Sequence, residues 1–196
     1  MRAEIRADGL HIAGYVNVPG RESRPVITPR GKVNEVIEQR AFQRAIEKAD
    51  NIDLKLDHER VIASTSGGTL AAYEDAVGLR AEAIVSDAEV VKGAKEGKLK
   101  GWSFDMRKVK DDVEQRADKL PLRRIREFDM SEITLAMNKQ PVYSSMSIEL
   151  RADDSEEVEQ RAETVEVIVK DMTEPPKENI DYSKYENTIK NLKGDK

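Results

Sequence analysis

The sequence predicts a β-rich α+β fold, and three observations carry that expectation. Apolar and polar residues alternate at period two in several short runs, at 5–18, 51–58, 69–73, 77–85, 99–106, 128–137 and 143–150. Glycine, proline, aspartate and asparagine fall between those runs, where turns are needed. Helical spacing is confined to two short stretches, 34–48 and 88–96.

The 196 residues suffice for one domain with a core and some surplus. Charged residues make up 36% of the chain, with a net charge of −5, so no basic surface advertises nucleic acid or anionic lipid. Cysteine is absent, which excludes a disulfide scaffold, thiolate metal sites and a cysteine nucleophile. The opening MRAEIRADGL has no apolar signal core, and no run approaches the roughly 18 apolar residues of a membrane span, so the chain is expected to be soluble and unexported. Neither a cofactor nor a metal is expected, since His11 and His58 do not form a helical ligand pair and no glycine loop is built to cradle phosphate.

Taken in order, residues 5–18 read as a hairpin or bent strand pair around Gly9 and Gly14, with His11 on its polar face. Residues 19–32 carry three prolines and read as a surface loop. Asn34 can cap a helix running to Lys48 through Val36, Ile37, Phe42, Ala45 and Ile46. The run 51–58 places Ile52, Leu54, Leu56 and His58 on one strand face, and Asp53, Lys55 and Asp57 on the other. An antiparallel meander over 69–85 follows, then a helix over 88–96 capped by Asp87 and closed by Gly97. Residues 111–118 are too charged for a core strand and read as an exposed helix or loop. From Asp153 onward acidic and polar residues dominate, and only 165–169 has the composition of an ordered segment.

Three residues stand out chemically. Ser103 lies in the run LKGWSFDM, where Trp102, Phe104 and Met106 share one face and Gly101, Ser103 and Asp105 the other. His58 ends an apolar strand face. Glu132 interrupts another, between Met130 and Thr134, and if buried must find a partner. A hydroxyl, an imidazole and a carboxylate on three strands are the inventory of a catalytic triad, in which a neutral imidazole takes the seryl proton and a third group fixes its tautomer. The surroundings of Ser103 lack the second glycine and following helix of a nucleophile elbow, which disfavours an α/β-hydrolase.

These residues sit in a longer pattern. The segments ADGLHIAGYVNV, VITPRGKV, AFQRAI, DHERVIASTSGGTL, GLRAEAIVSD, GWSFDM and SEITLAMNKQPVYSSMSIELR together resemble the prohead serine proteases of tailed bacteriophages, relatives in fold of herpesvirus assemblin. The resemblance covers roughly residues 3–151 and divides the chain into a protease domain, 1–151, and an acidic, mostly disordered tail, 152–196. It implies a small closed or partly closed antiparallel β-barrel with a few surrounding helices. It also implies that His58 is the general base, Ser103 the nucleophile and Glu132 the third member, with Asp129, Asp105 and Asp57 as competing carboxylates. The loop after the Glu132 strand, at Asn138 and Lys139, is a candidate source of oxyanion donors. The implied activity is endopeptidic cleavage of the major capsid protein precursor and scaffold segments, and of the protease itself, inside the procapsid in the bacterial host. A homodimer is one arrangement open to such a chain. The rival reading is a non-catalytic procapsid module that keeps the fold for assembly.

The word Glu-Gln-Arg-Ala occurs three times, at 38–41, 114–117 and 159–162. Reuse of helix-favouring residues accounts for it at the level of composition. On the protease reading, Glu159, Gln160, Arg161 and Ala162 lie in the exposed tail and are expected to be a self-cleavage segment that releases the tail. The copy at 38–41, expected within a helix, should stay uncut.

Overall fold

The computed structural model describes residues 1–138 and 158–173. In chain order these form β1 (Arg2–Arg6), β2 (Gly9–Asn17), β3 (Val26–Thr28), β4 (Gly31–Ile37), α1 (Ala41–Lys48), β5 (Asp53–Leu56), β6 (Arg60–Ser64), β7 (Leu70–Glu74), β8 (Leu79–Val85), α2 (Ala88–Lys95), β9 (Gly101–Glu114), β10 (Leu122–Asp129), β11 (Glu132–Ala136), β12 (Val158–Thr164) and β13 (Ile168–Asp171). The β-rich α+β class is the one observed. Lys139, the expected strand 143–150 and most of the expected tail lie outside the described residues.

The strands form two sheets. One runs β13-β1-β2-β8-β7, and the other contains β3-β4-β10-β9-β11-β5-β6 with β12 added on β9. Among the described residues these orders are open, so no closed barrel is present. Nor is the architecture purely antiparallel, because β1 pairs with β13, β10 with β4 and β11 with β5 in parallel.

The strands of 69–85 and the helix after Asp87 are present, and so is an N-terminal hairpin, but its first strand begins at Arg2, before the expected 5–18, and Gly14 lies inside the single strand β2 and not at a bend between two strands. Asp87 accepts from the N–H groups of Glu89 and Val90, which satisfies two donors that the first turn of α2 leaves open. Other segments differ from expectation. Residues 26–37 form the hairpin of β3 and β4, so the loop ends earlier and the helix begins later than helical spacing implies. Val33, Val36 and Ile37 are β-branched, which suits a pleated surface, and Arg40 at φ 64° breaks the chain direction before α1. No local side chain caps α1; the Glu74 carboxylate, from β7, accepts from the N–H groups of Arg40 and Gln43. Residues 111–114 continue β9, since their charges are matched across the ladder: Arg123 and Arg30 bind Asp111, and Arg126 binds Asp112.

One apolar core joins the two sheets, with Trp102, Phe104 and Met106 of β9 fully buried in it. Phe42 fixes α1 over β9 and β10, its ring meeting Phe104 and Phe128 edge-on at 5.1 and 5.3 Å. That packing seals the apolar face of the first half of β9. Residues 158–173, expected to belong to the tail, contribute strands to both sheets: β12 lies along β9 and β13 along β1.

Candidate active site

The first half of β9 lies between two strands, β11 on one edge and β12 on the other, since both pair with residues Gly101 to Phe104. Ser103 faces Thr134 across the β9–β11 ladder, and Thr134 in turn faces Lys55 of β5. Side chains directly opposite in a ladder share a face and stand about 5 Å apart at Cβ. Two residues before Thr134, on the same face, is Glu132. One surface therefore carries Ser103, Thr134, Glu132 and Lys55.

His58 enters from the turn that follows β5. Leu56 C=O accepts from Glu59 N–H at 2.9 Å, and both central residues are left-handed, Asp57 at φ 50° and His58 at φ 66°. His58 thus sits on a tight turn and not at the end of a strand face. Period-two alternation carried the strand two residues too far, because Asp57 keeps the polar rhythm while it starts the turn. Left-handed backbone costs a non-glycine residue about 1 kcal/mol or more. Asp57, a residue that tolerates it, offsets this by accepting from the N–H groups of Met137 and Asn138 at 2.8 and 2.9 Å.

His58 Nδ1 lies 2.5 Å from Glu132 Oε1. The same carboxylate accepts from Thr134 Oγ1 at 2.8 Å and is 2.6 Å from Lys55 Nζ. Burial pushes the Glu132 carboxyl up, but the hydrogen bonds from His58, Lys55 and Thr134 outweigh it and hold it at about 2. An ionised Glu132 accepts the Nδ1 proton, which leaves Nε2 as the basic nitrogen. Thr134 Oγ1, 3.2 Å from Nδ1, links this pair to the strand position opposite Ser103.

The competing carboxylates have other work. Asp105, 1% exposed, accepts from Ser131 N–H, Ser131 Oγ and Glu132 N–H, and so anchors the start of β11 that carries Glu132. Asp57 anchors the other end of β11. Asp129 pairs with Lys48 and Lys108. His11 binds Asp8 in the other sheet. Of the oxyanion candidates, Asn138 has its N–H taken by Asp57, and Lys139 lies outside the described residues. The roles of Lys55, Thr134 and Asp105 were not legible from spacing, since each looks like an ordinary polar strand residue until the registers are known. Among the described residues no group of three or more histidine, cysteine, aspartate or glutamate side chains could hold a metal.

Ser103 is 3% exposed, and its hydroxyl donates to the carbonyl oxygen of Arg161 at 2.9 Å. That carbonyl belongs to β12, in which Ala162 faces Ser103 and Arg161 faces Phe104. A seryl hydroxyl on a peptide carbonyl, with Thr134 standing between it and an imidazole that a buried carboxylate holds, is the kind of surface on which a serine peptidase is built. The comparison with family models makes the assignment specific: the chain belongs to the caudovirus prohead serine protease family, whose model matches residues 1–161. Neither the curated proteins nor the solved structures yield a match. No helix among the described residues is long and apolar enough to cross a membrane.

Proposed function

We propose that this chain is the serine endopeptidase of a procapsid, with Ser103 as nucleophile, His58 as general base and Glu132 as the carboxylate that orients it. Its substrates are the precursor of the major capsid protein, scaffold segments and the chain itself, cut inside the assembling particle. The observation that carries this reading is the His58–Glu132 contact at 2.5 Å, on the same strand face as, and two residues from, the position that faces Ser103. A structural histidine would be satisfied by any acceptor; this one is held by a carboxylate that two further donors keep ionised.

The chemistry is acyl transfer in two stages. Ser103 Oγ bonds to the scissile carbonyl carbon while His58 Nε2 takes its proton and passes it to the leaving amine. Water then attacks the acyl-enzyme with the same base. Co-expression with the capsid gene, followed by mass spectrometry, tests the reading: wild type is expected to trim the capsid precursor, and Ser103→Ala to leave it whole. Trimming by the Ser103→Ala form, or none by wild type, would overturn it.

A further inference from the structure

Arg161 and Glu159, two residues apart on β12, carry charged side chains that are 7 and 5% exposed. Burial of that kind is costly unless every charge is matched. Here it is matched by residues of the other strands. Glu35 of β4 accepts from Arg161 Nε and Nη2 at 2.6 and 2.7 Å. Arg123 of β10 grips Glu159 with both Nη atoms, at 2.5 and 2.7 Å, and also reaches Glu35 at 2.8 Å. Asp111 braces Arg123 from behind. Burial pushes the Glu159 carboxyl up, and the two arginines outweigh it and keep it low. A strap that merely covered an edge would need none of this; paired side chains buried in opposite-charge sockets are how an extended peptide is read in sequence.

We propose, resting on the endopeptidase reading, that β12 is a substrate strand seated in cis, that the scissile bond is Arg161–Ala162, and that Glu35 and Arg123 are the specificity residues. Glu35 selects an arginine on the acyl side of the bond, and Arg123 selects a glutamate two residues before it. The substrate class is then an extended Glu-x-Arg peptide, added as a strand to β9. The register supports the choice of bond, since the carbonyl on Ser103 Oγ is that of Arg161. In the reaction Oγ bonds to the Arg161 carbonyl carbon, and the C–N bond to Ala162 breaks as the seryl proton reaches the Ala162 nitrogen through His58. Water then releases Arg161 as a carboxylate and restores Ser103. The other two copies of the word do not compete: 38–41 spans the turn between β4 and α1, and Glu114 closes β9. Beside Glu159 a cavity of about 760 Å³, lined by Thr28, Arg30, Lys108 and Arg123 among others, leaves room for residues further upstream in a substrate.

The test is intact mass under denaturing conditions of the full chain after prolonged incubation, with capsid-precursor trimming followed in parallel. Wild type is expected to yield pieces that end at Arg161 and begin at Ala162, and Ser103→Ala to remain whole. Arg161→Ala and Glu159→Ala should each slow the cut about 100-fold, the usual scale for unpairing a buried charge. Because an unpaired Glu35 or Arg123 can also loosen the fold, Arg161→Lys is included: it keeps a cation between Glu35 and Glu159, and should still be cut after residue 161, far faster than Arg161→Ala. A chain that trims the capsid precursor in a Ser103-dependent way, yet leaves Arg161–Ala162 intact or is cut elsewhere, overturns the assignment of β12 and leaves the endopeptidase reading standing. Loss of both activities in wild type overturns both.

Discussion

Replacing Glu132 by glutamine removes the charge at the centre of the site while keeping its shape. The carboxylate is the common acceptor for His58 Nδ1, Lys55 Nζ and Thr134 Oγ1. An amide can accept from only one side and offers its NH2 group on the other, so His58 loses the partner that fixes its Nδ1–H tautomer. In triads of this kind the amide substitution lowers kcat by about 10⁴, or roughly 5 kcal/mol of transition-state stabilisation. The fold loses less. A carboxyl held at about 2 instead of its ordinary 4.5 contributes at most about 3 kcal/mol at neutral pH, at about 1.4 kcal/mol per pH unit of displacement. Since the folded value is the lower one, that contribution is present above pH 4.5 and is lost as the pH falls from 4.5 to 2. Cleavage rates on the capsid precursor, with urea melts at pH 7, 4.5 and 3, measure both effects. The variant should melt earlier than wild type at pH 7, and the gap should narrow to roughly half of its pH 7 size by pH 3. Near-normal cleavage, or an acid slope equal to that of wild type, would refute the role given to Glu132.

Ser103→Ala and His58→Ala should each reduce cleavage by about 10⁶, more than Glu132→Gln, because possessing the nucleophile and base matters more than orienting them; steady-state kinetics rank the three. Asp57→Ala strips the acceptor from Met137 and Asn138 and frees the His58 turn, so a stability loss of about 2–3 kcal/mol by urea titration should accompany a lower kcat. His11→Asn and Asp129→Asn should cleave at wild-type rate, since both side chains bind partners away from Ser103. Gly78→Ala would set a Cβ 2.2 Å from the Asn17 carbonyl oxygen, and the backbone shift this forces should cost about 3 kcal/mol or more in a thermal melt.

Much of this molecule was legible before any coordinate. Alternation located β2, β7, β8, the start of β9 and β11, and Asp87 announced α2, because in those segments local pattern and tertiary burial agree. Legibility failed where charge was matched at long range. Residues 111–114 and 158–164 look too polar to pack, yet Asp111 and Glu159 are both bound by Arg123, a residue distant from each in sequence. Pairing of that kind has no local signature. Ser103, His58 and Glu132 could be nominated as anomalies of residue type, whereas Lys55, Thr134 and Asp105 acquire meaning only from the β5–β11–β9 register. The positive φ of His58 was hidden by a rhythm that Asp57 continued into the turn.

The placement of β13 changes what a cut at Arg161–Ala162 would mean. Val165 N–H reaches Lys100 C=O, Ile168 N–H reaches Met1 C=O, Met172 N–H reaches Ile5 C=O, and Lys95 holds Asp171 at 2.8 Å. The piece that begins at Ala162 is thus moored beside the start of β9 and, through β13, to the opposite sheet within a few residues of its new end, while the piece that ends at Arg161 stays joined through residues 139–157 to β11. Hydrolysis of that bond is a nick and not a release. Both new ends remain at a high effective concentration over the cleft, so the slow event that opens the enzyme to other chains is the peeling of a strand, and a sizing column in native buffer would see one particle where a denaturing gel sees two.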